Sequence, residues 1–279
     1  MKLIQLVFVT MLLTAQMGYS VVFYEDFEAQ TVGSNPTGAK YVNPTAITAS
    51  SYVKVVGSTP MGTGNGLAMY DNDSQNLGLE YNFASQSAIR VDLAFSPTDG
   101  GSSTAYMTLG LGQNEASTSA RLGASGRRYA EMRFYGDGDL RFYYNSLGNF
   151  VDYNDLVAGS ANVLTWFLND YDSQSVSYTV GTTTHILPAN SVAWWINDTL
   201  ILNGLAEYGS LDLADATAGG TVGTSEGNLG RIGFSDSGVT GIDYFFDSLS
   251  VSTIAIPEPS TVSMLLLGSI ILLALRRRG

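Results

Sequence analysis

Between residues 21 and 254 apolar side chains recur at every second position in roughly a dozen short runs, and no stretch carries the 3.6-residue period of a helix. Gly, Pro, Asn, Asp or Ser bounds each run, from 21–27 at the start to 244–251 at the end. Period two sends neighbouring side chains to opposite faces of a strand, so each run has one face to bury. Many such runs with no helix to cover them bury those faces by stacking one sheet on another. The expected fold class is therefore all-β, a two-sheet antiparallel sandwich over residues 21–254. The 31 Gly and 16 Tyr, with charged residues at only 14 %, suit short strands and tight turns.

The sharpest local signal lies in residues 131–144. Gly136-Asp137-Gly138-Asp139 can take positive φ and joins two alternating runs as a hairpin. A second hairpin is expected between 175–180 and 183–187 through Gly181. Only residues 191–213 break the pattern, where a short helical turn or an excursion is expected. No internal repeat or long linker marks a second folded domain.

The two ends read differently. Lys2 precedes an apolar-rich run from Leu3 to Leu13, then Gly18-Tyr19-Ser20 places small residues at the −3 and −1 positions of a cut after Ser20. This is the pattern of a secretory signal peptide, 1–20, too short to span a membrane stably. At the other end Pro257-Glu258-Pro259-Ser260 precedes a hydrophobic segment, 261–275, and the cluster Arg276-Arg277-Arg278. The prolines favour an extended segment, and the arginines stay cytoplasmic by the positive-inside rule. The two ends agree on one topology, with the middle exported.

The order Pro-Glu-Pro, hydrophobic helix, arginine cluster over 256–279 resembles the PEP-CTERM sorting signal of Gram-negative bacteria. That resemblance implies an exosortase that recognises the tail, with Pro257, Glu258, Pro259 and Ser260 as the sorting motif. Arg276, Arg277 and Arg278 would be the membrane stop. It further implies export through the secretion translocon, transient anchoring in the inner membrane by the C-terminal helix, and delivery to the cell surface or extracellular matrix, often with exopolysaccharide. In the middle, Phe23-Tyr-Glu-Asp-Phe-Glu28, Asn162-Val-Leu-Thr-Trp-Phe-Leu-Asn-Asp-Tyr171, Gly233-Phe-Ser-Asp236 and Tyr244-Phe-Phe-Asp-Ser-Leu-Ser-Val251 resemble strands of a concanavalin A-like (laminin G-like) jelly roll. There the first and last strands often pair side by side. A shared fold carries no function by itself.

Charge and composition exclude several functions. The 13 Lys and Arg against 25 Asp and Glu give −12. Setting aside Lys2, Arg276, Arg277, Arg278 and Glu258 leaves 9 positive against 24 negative side chains, or −15. So acidic a surface repels phosphate backbones and argues against nucleic-acid binding. No cysteine leaves no disulfide, thiolate metal site or cysteine nucleophile, and the single histidine, His185, no multi-histidine site.

Catalytic motifs are absent too. Some enzymes of this jelly roll carry Glu-x-Asp-x-x-Glu on one strand, which would set two carboxylates about 5–5.5 Å apart, as retaining glycosidases need. The nearest run, Glu25-Asp26-Phe27-Glu28, lacks that spacing. His185 has no Gly-x-Ser-x-Gly partner motif and reads as a strand histidine. No catalytic residue is assigned and no enzyme is expected. Asp71 with Asp73, Asp137 with Asp139, and Asp170 with Asp172 sit in turn-like loops whose oxygens could hold a structural Ca²⁺, the one cofactor considered. Trp194 and Trp195 are candidates for stacking on a sugar, whereas Trp166 between Leu164 and Leu168 reads as core. The expected function is a non-enzymatic surface or matrix protein, structural or adhesive among exopolysaccharide. The alternatives are a carbohydrate-binding module and a glycoside hydrolase of concanavalin A-like fold.

Overall fold

A computed structural model of the chain describes residues 19–73, 75–98, 101–114, 122, 130–143, 150–171, 173–203, 229–236 and 240–254. Every helix or strand among them is a strand. The first six are β1 (Tyr19–Glu25), β2 (Tyr41–Asn43), β3 (Ser51–Thr59), β4 (Gly62–Asp71), β5 (Gly78–Gln86) and β6 (Ala88–Pro97). Next come β7 (Tyr106–Gln113), β8 (Ala130–Tyr135), β9 (Leu140–Tyr143), β10 (Phe150–Tyr153) and β11 (Asn162–Asn169). The last are β12 (Val176–Val180), β13 (Thr183–Leu187), β14 (Ser191–Ile196), β15 (Thr199–Asn203), β16 (Leu229–Asp236) and β17 (Ile242–Ile254).

They form two large antiparallel sheets. One has eight strands, β15-β14-β11-β6-β17-β4-β3 with β1 paired to β17. The other has seven, β10-β9-β8-β7-β16-β5-β2. The expected sandwich is therefore present. The first and last strands pair as expected, Phe23 opposite Val251 and Glu25 opposite Leu249, while β16 belongs to the other sheet. Both predicted hairpins form. At the β8–β9 turn Gly138 takes φ 97°, and at the β12–β13 turn Gly181 takes φ 57°, backbone conformations that a Cβ would strain.

The inward faces interlock. Phe134, from the seven-stranded sheet, meets Phe95, Tyr244 and Phe246 of the other edge-on, with ring centroids 5.3, 5.3 and 5.8 Å away. A second, smaller core lies outside the sandwich. Val176, Tyr178 and Leu187 of the β12–β13 hairpin pack on Ala88, Phe167, Ala193, Trp195 and Ile254, on the outer face of the eight-stranded sheet.

This hairpin corrects the expectation of a helical turn or excursion at 191–213. Ser191–Ile196 and Thr199–Asn203 are strands, and residues 204–213 lie outside the described residues. Every residue of β14 is buried, because the sandwich core covers one face and the hairpin the other. A strand covered twice reads as an apolar run, and alternation disappears.

The strand β1 starts at Tyr19, two residues before the end expected for the signal peptide, whose residues 1–18 lie outside the described residues. The Tyr19 hydroxyl accepts the Thr179 N–H at 3.0 Å, and the Arg90 guanidinium lies over its ring at 5.2 Å. The expected sorting motif, 257–260, the hydrophobic segment 261–275 and Arg276–278 also lie outside the described residues. Among the described residues no helix is long and apolar enough to cross a membrane.

Candidate functional site

Alternation in the β8–β9 hairpin sends Met132, Phe134, Leu140 and Phe142 into the core and turns Glu131, Arg133, Tyr135 and Arg141 outward. Register then extends this outer face across the sheet. Asp152, Arg141, Arg133, Thr108, Ser235, Gly78 and Asn43 lie opposite one another in sequence, one from each of the seven strands. This polar row is assembled from segments nearly 200 residues apart.

Arg133 and Arg141 face each other directly, an arrangement of like charges that costs stability. Each is held from both sides. Arg133 donates to Glu131 at 3.1 Å and lies 4.2 Å from the Tyr106 ring centre. Arg141 donates to Asp152 at 2.7 Å and lies 4.9 Å from that of Tyr135. The two rings, themselves opposite in register, are 5.4 Å apart. The rings fix the guanidiniums from beneath, and the guanidiniums and carboxylates together present donors and acceptors for hydroxyls. Asp139, at the end of the hairpin turn, has its pKa raised, first by burial and then by the charges of Asp137 and Asp152, with Arg141 acting the other way.

Beside this row lies an ion pair with almost no exposure. Arg231 donates to Glu80 at 3.5 Å, both side chains are 1 % exposed, and the Leu122 N–H donates to Glu80 at 2.6 Å. Gly233 makes this possible. A Cβ there would stand 2.8 Å from both Cα and Cγ of Glu80 and would collide with the Leu79 carbonyl oxygen. Sequence inspection missed Glu80, Arg231, Tyr106 and Thr108. Their common signal is a polar side chain or glycine at alternate positions of an otherwise apolar run.

The other predicted residues fall elsewhere. Trp194 is fully buried in the sandwich core, its ring against Trp166 and Phe142, and Trp195, 7 % exposed, lies under the β12–β13 hairpin. Neither indole offers a face for a sugar in this arrangement. His185 stacks on Tyr178 and meets the edge of Trp195 at 5.0 Å; its Nε2 is buried and has no hydrogen-bond partner, serine included. Burial pushes the Tyr178 hydroxyl up to about 12. An aromatic pair that sequence inspection did not single out lies on the outer face of the eight-stranded sheet. There Tyr52 stacks on Tyr70 at 5.2 Å, with Lys54 Nζ 3.7 Å from the Tyr52 ring centre.

The three aspartate loops differ from one another. Asp137 accepts the Asp139 N–H at 3.2 Å within the hairpin turn. Asp170 is buried after β11, and Asp172 lies outside the described residues. Asp71 is fully buried at the end of β4, and its Oδ1 accepts the N–H groups of Asp73 at 3.1 Å and Gln75 at 3.3 Å. Among the described residues no three His, Asp or Glu side chains gather as a metal-ligating group.

No family model matches the chain, and no curated protein matches it. Solved structures with a similar arrangement include a cellulose-induced protein, Cip1, at 12 % identity and TM-score 0.48, covering 82 % of this chain and 96 % of that one. The globular domain of T. cruzi calreticulin is similar at 10 % identity and TM-score 0.44, covering 88 % and 92 %. Lectin II from Ulex europaeus is similar at 12 % identity and TM-score 0.43, covering 85 % and 100 %. Similarity of this degree carries nothing about ligand or activity, and the sandwich stands on the chain's own strand order.

Proposed function

We propose that this chain is an exported, non-enzymatic surface or matrix protein, sorted by an exosortase through its C-terminal tail. On this proposal it binds polysaccharide on the outer face of its seven-stranded sheet. The observation that carries the binding is the half-exposed end of this row, where the Arg133 and Arg141 guanidiniums are held by Glu131 and Asp152; Thr108 and Ser235 continue the row but are buried. Saccharide hydroxyls are bound by such donors and acceptors, here two guanidiniums and two carboxylates fixed in place. The absence of catalysis is supported by Glu131 and Glu80, the glutamates of this face among the described residues. Each accepts from an arginine, whereas a glycosidase acid must hold a proton to give to the leaving group. Export and sorting are supported by the order of features in the two ends.

Affinity electrophoresis of the purified chain in gels containing neutral and acidic polysaccharides tests the binding. Wild type is expected to be retarded by at least one polymer. Arg133→Gln/Arg141→Gln should weaken that retardation about tenfold or more, by loss of charge-assisted hydrogen bonds. Lys54→Gln, on the opposite sheet, should leave it unchanged. Equal retardation of all three proteins sinks the assignment of this face, and release of reducing ends from any polymer sinks the non-enzymatic assignment.

A further inference from the structure

At one end of the sandwich the core closes on oxygen atoms instead of apolar side chains. Ser51 and Asp71 stand opposite each other at the start of β3 and the end of β4, on the face that carries Val53, Val55, Leu67 and Met69 into the core. Opposed residues of an antiparallel pair have Cβ atoms about 4.5–5.5 Å apart on the same face, so the two side chains share one small space. Both residues are 0 % exposed, and both Ser51 Oγ and Asp71 Oδ2 lack a hydrogen-bond partner. Buried polar atoms of native proteins are almost always satisfied, and a hydroxyl oxygen and a carboxylate oxygen that share this space without a partner both have lone pairs to offer to something between them.

The surroundings are oxygen-rich and lead outward. Asp73, exposed, accepts the Ser50 hydroxyl through Oδ2 at 2.5 Å and the Gln75 N–H through Oδ1 at 3.3 Å. Burial pushes the Asp71 carboxyl up most, the N–H groups of Asp73 and Gln75 pull it back, and the Asp73 carboxyl pushes it up again. The backbone frames the site closely: the Asp71 carbonyl accepts the Gly241 N–H at 2.7 Å, and the Ser50 carbonyl accepts that of Asn72 at 2.8 Å. Two carboxylates and two hydroxyls, from a buried floor to an exposed rim, suit a hard cation that takes oxygen ligands in irregular geometry and completes its shell with water.

We infer that Asp71 and Ser51, with Asp73 at the rim, form a calcium site that ties the start of β3 to the end of β4. The ion satisfies both orphaned oxygens and offsets the charge of two neighbouring carboxylates. Ca²⁺ is preferred to Mg²⁺ because a floor of one carboxylate and one hydroxyl on rigid strands cannot rearrange into a tight octahedron.

The test is thermal unfolding of the chelator-treated full chain, titrated with calcium chloride alone. Wild type should gain about 5–10 °C in Tm at a hundredfold excess of Ca²⁺ over its Kd. Asp71→Asn should lose that gain, and Ser51→Ala, which leaves both carboxylates in place, should cut it. The second variant keeps the test decisive if the first folds poorly. An equal Ca²⁺ shift in wild type and both variants places the ion elsewhere and overturns the inference. No shift in wild type overturns it too, leaving the orphans to a proton or a buried water. A larger shift with magnesium chloride overturns the choice of ion.

Discussion

Arg133 and Arg141 stand directly opposite each other on β8 and β9, two positive charges in register on a chain whose net charge is −12. Their side chains are 22 % and 28 % exposed, so solvent screens the repulsion without removing it. A stability-driven sequence would place opposite charges there. Retaining two guanidiniums, each fixed by a ring and a carboxylate, fits a face shaped for a ligand, where function tolerates a local cost.

A double-mutant cycle measures that cost. Arg133→Gln and Arg141→Gln should each change stability by less than about 1 kcal/mol, as for other half-exposed ion pairs. Their coupling should be repulsive by about 0.2–1 kcal/mol, the double variant being less stable than additivity gives, because the sum of the single variants counts relief of the one repulsion twice. Attractive coupling in urea unfolding would contradict the register.

The three tryptophans report on the buried alternative to sugar stacking. Trp166 and Trp194 are 0 % exposed and Trp195 is 7 % exposed. Native fluorescence should therefore resist iodide quenching, and become quenchable only on unfolding. Trp194→Ala should cost about 3–5 kcal/mol, the price of emptying a core position. An unchanged Tm for that variant would place Trp194 on the surface.

Gly233→Ala tests the close approach of Glu80 across β16. Its Cβ would press on backbone as well as on the Glu80 side chain, so overpacking of about 1–3 kcal/mol is expected, or a Tm lower by about 2–4 °C per kcal/mol. At Gly78 the obstacle is the edge of the Tyr41 ring, which can swing away, so Gly78→Ala should lose less. Equal losses would show that the Glu80 backbone yields.

Acid titration should show an unusual sign. Burial raises the pKa of Asp71, Asp139, Asp243 and Asp247 above the ordinary 3.8. The folded chain therefore binds these protons more tightly than the unfolded chain. Their unfavourable contribution is absent below pH 3.8, grows as pH rises through that value, and is complete above the folded pKa. In chelator, Asp71→Asn should therefore raise Tm at pH 7 and leave it unchanged, relative to wild type, at pH 3. A variant less stable than wild type at pH 7 without calcium would refute the direction for Asp71.

Sorting is read by mass. If the tail is a sorting signal, wild type co-expressed with an exosortase should lose the C-terminal segment and leave the membrane fraction. Pro257→Ala/Glu258→Ala should stay full-length within it. Identical mass and location for both would make the tail an ordinary anchor.

Local chemistry was legible in the chain. Gly138 and Gly181 marked their turns, and the runs on either side of each were expected to pair as hairpins, as they do. Trp166, flanked by Leu164 and Leu168, read correctly as core. Trp194 and Trp195 did not, because adjacent residues on a strand face opposite ways and one of them is expected outside. That both are covered follows from the β12–β13 hairpin folding back onto β14, a contact between segments that share no local signal. The same limit applies to the polar row, where Arg133 meets Thr108, Ser235 and Asn43 only through register among strands distant in sequence. Turn conformation and strand periodicity are set by a few neighbouring residues. Which strands lie side by side is set by how all the apolar faces are buried at once, and that is decided only when the whole sandwich closes.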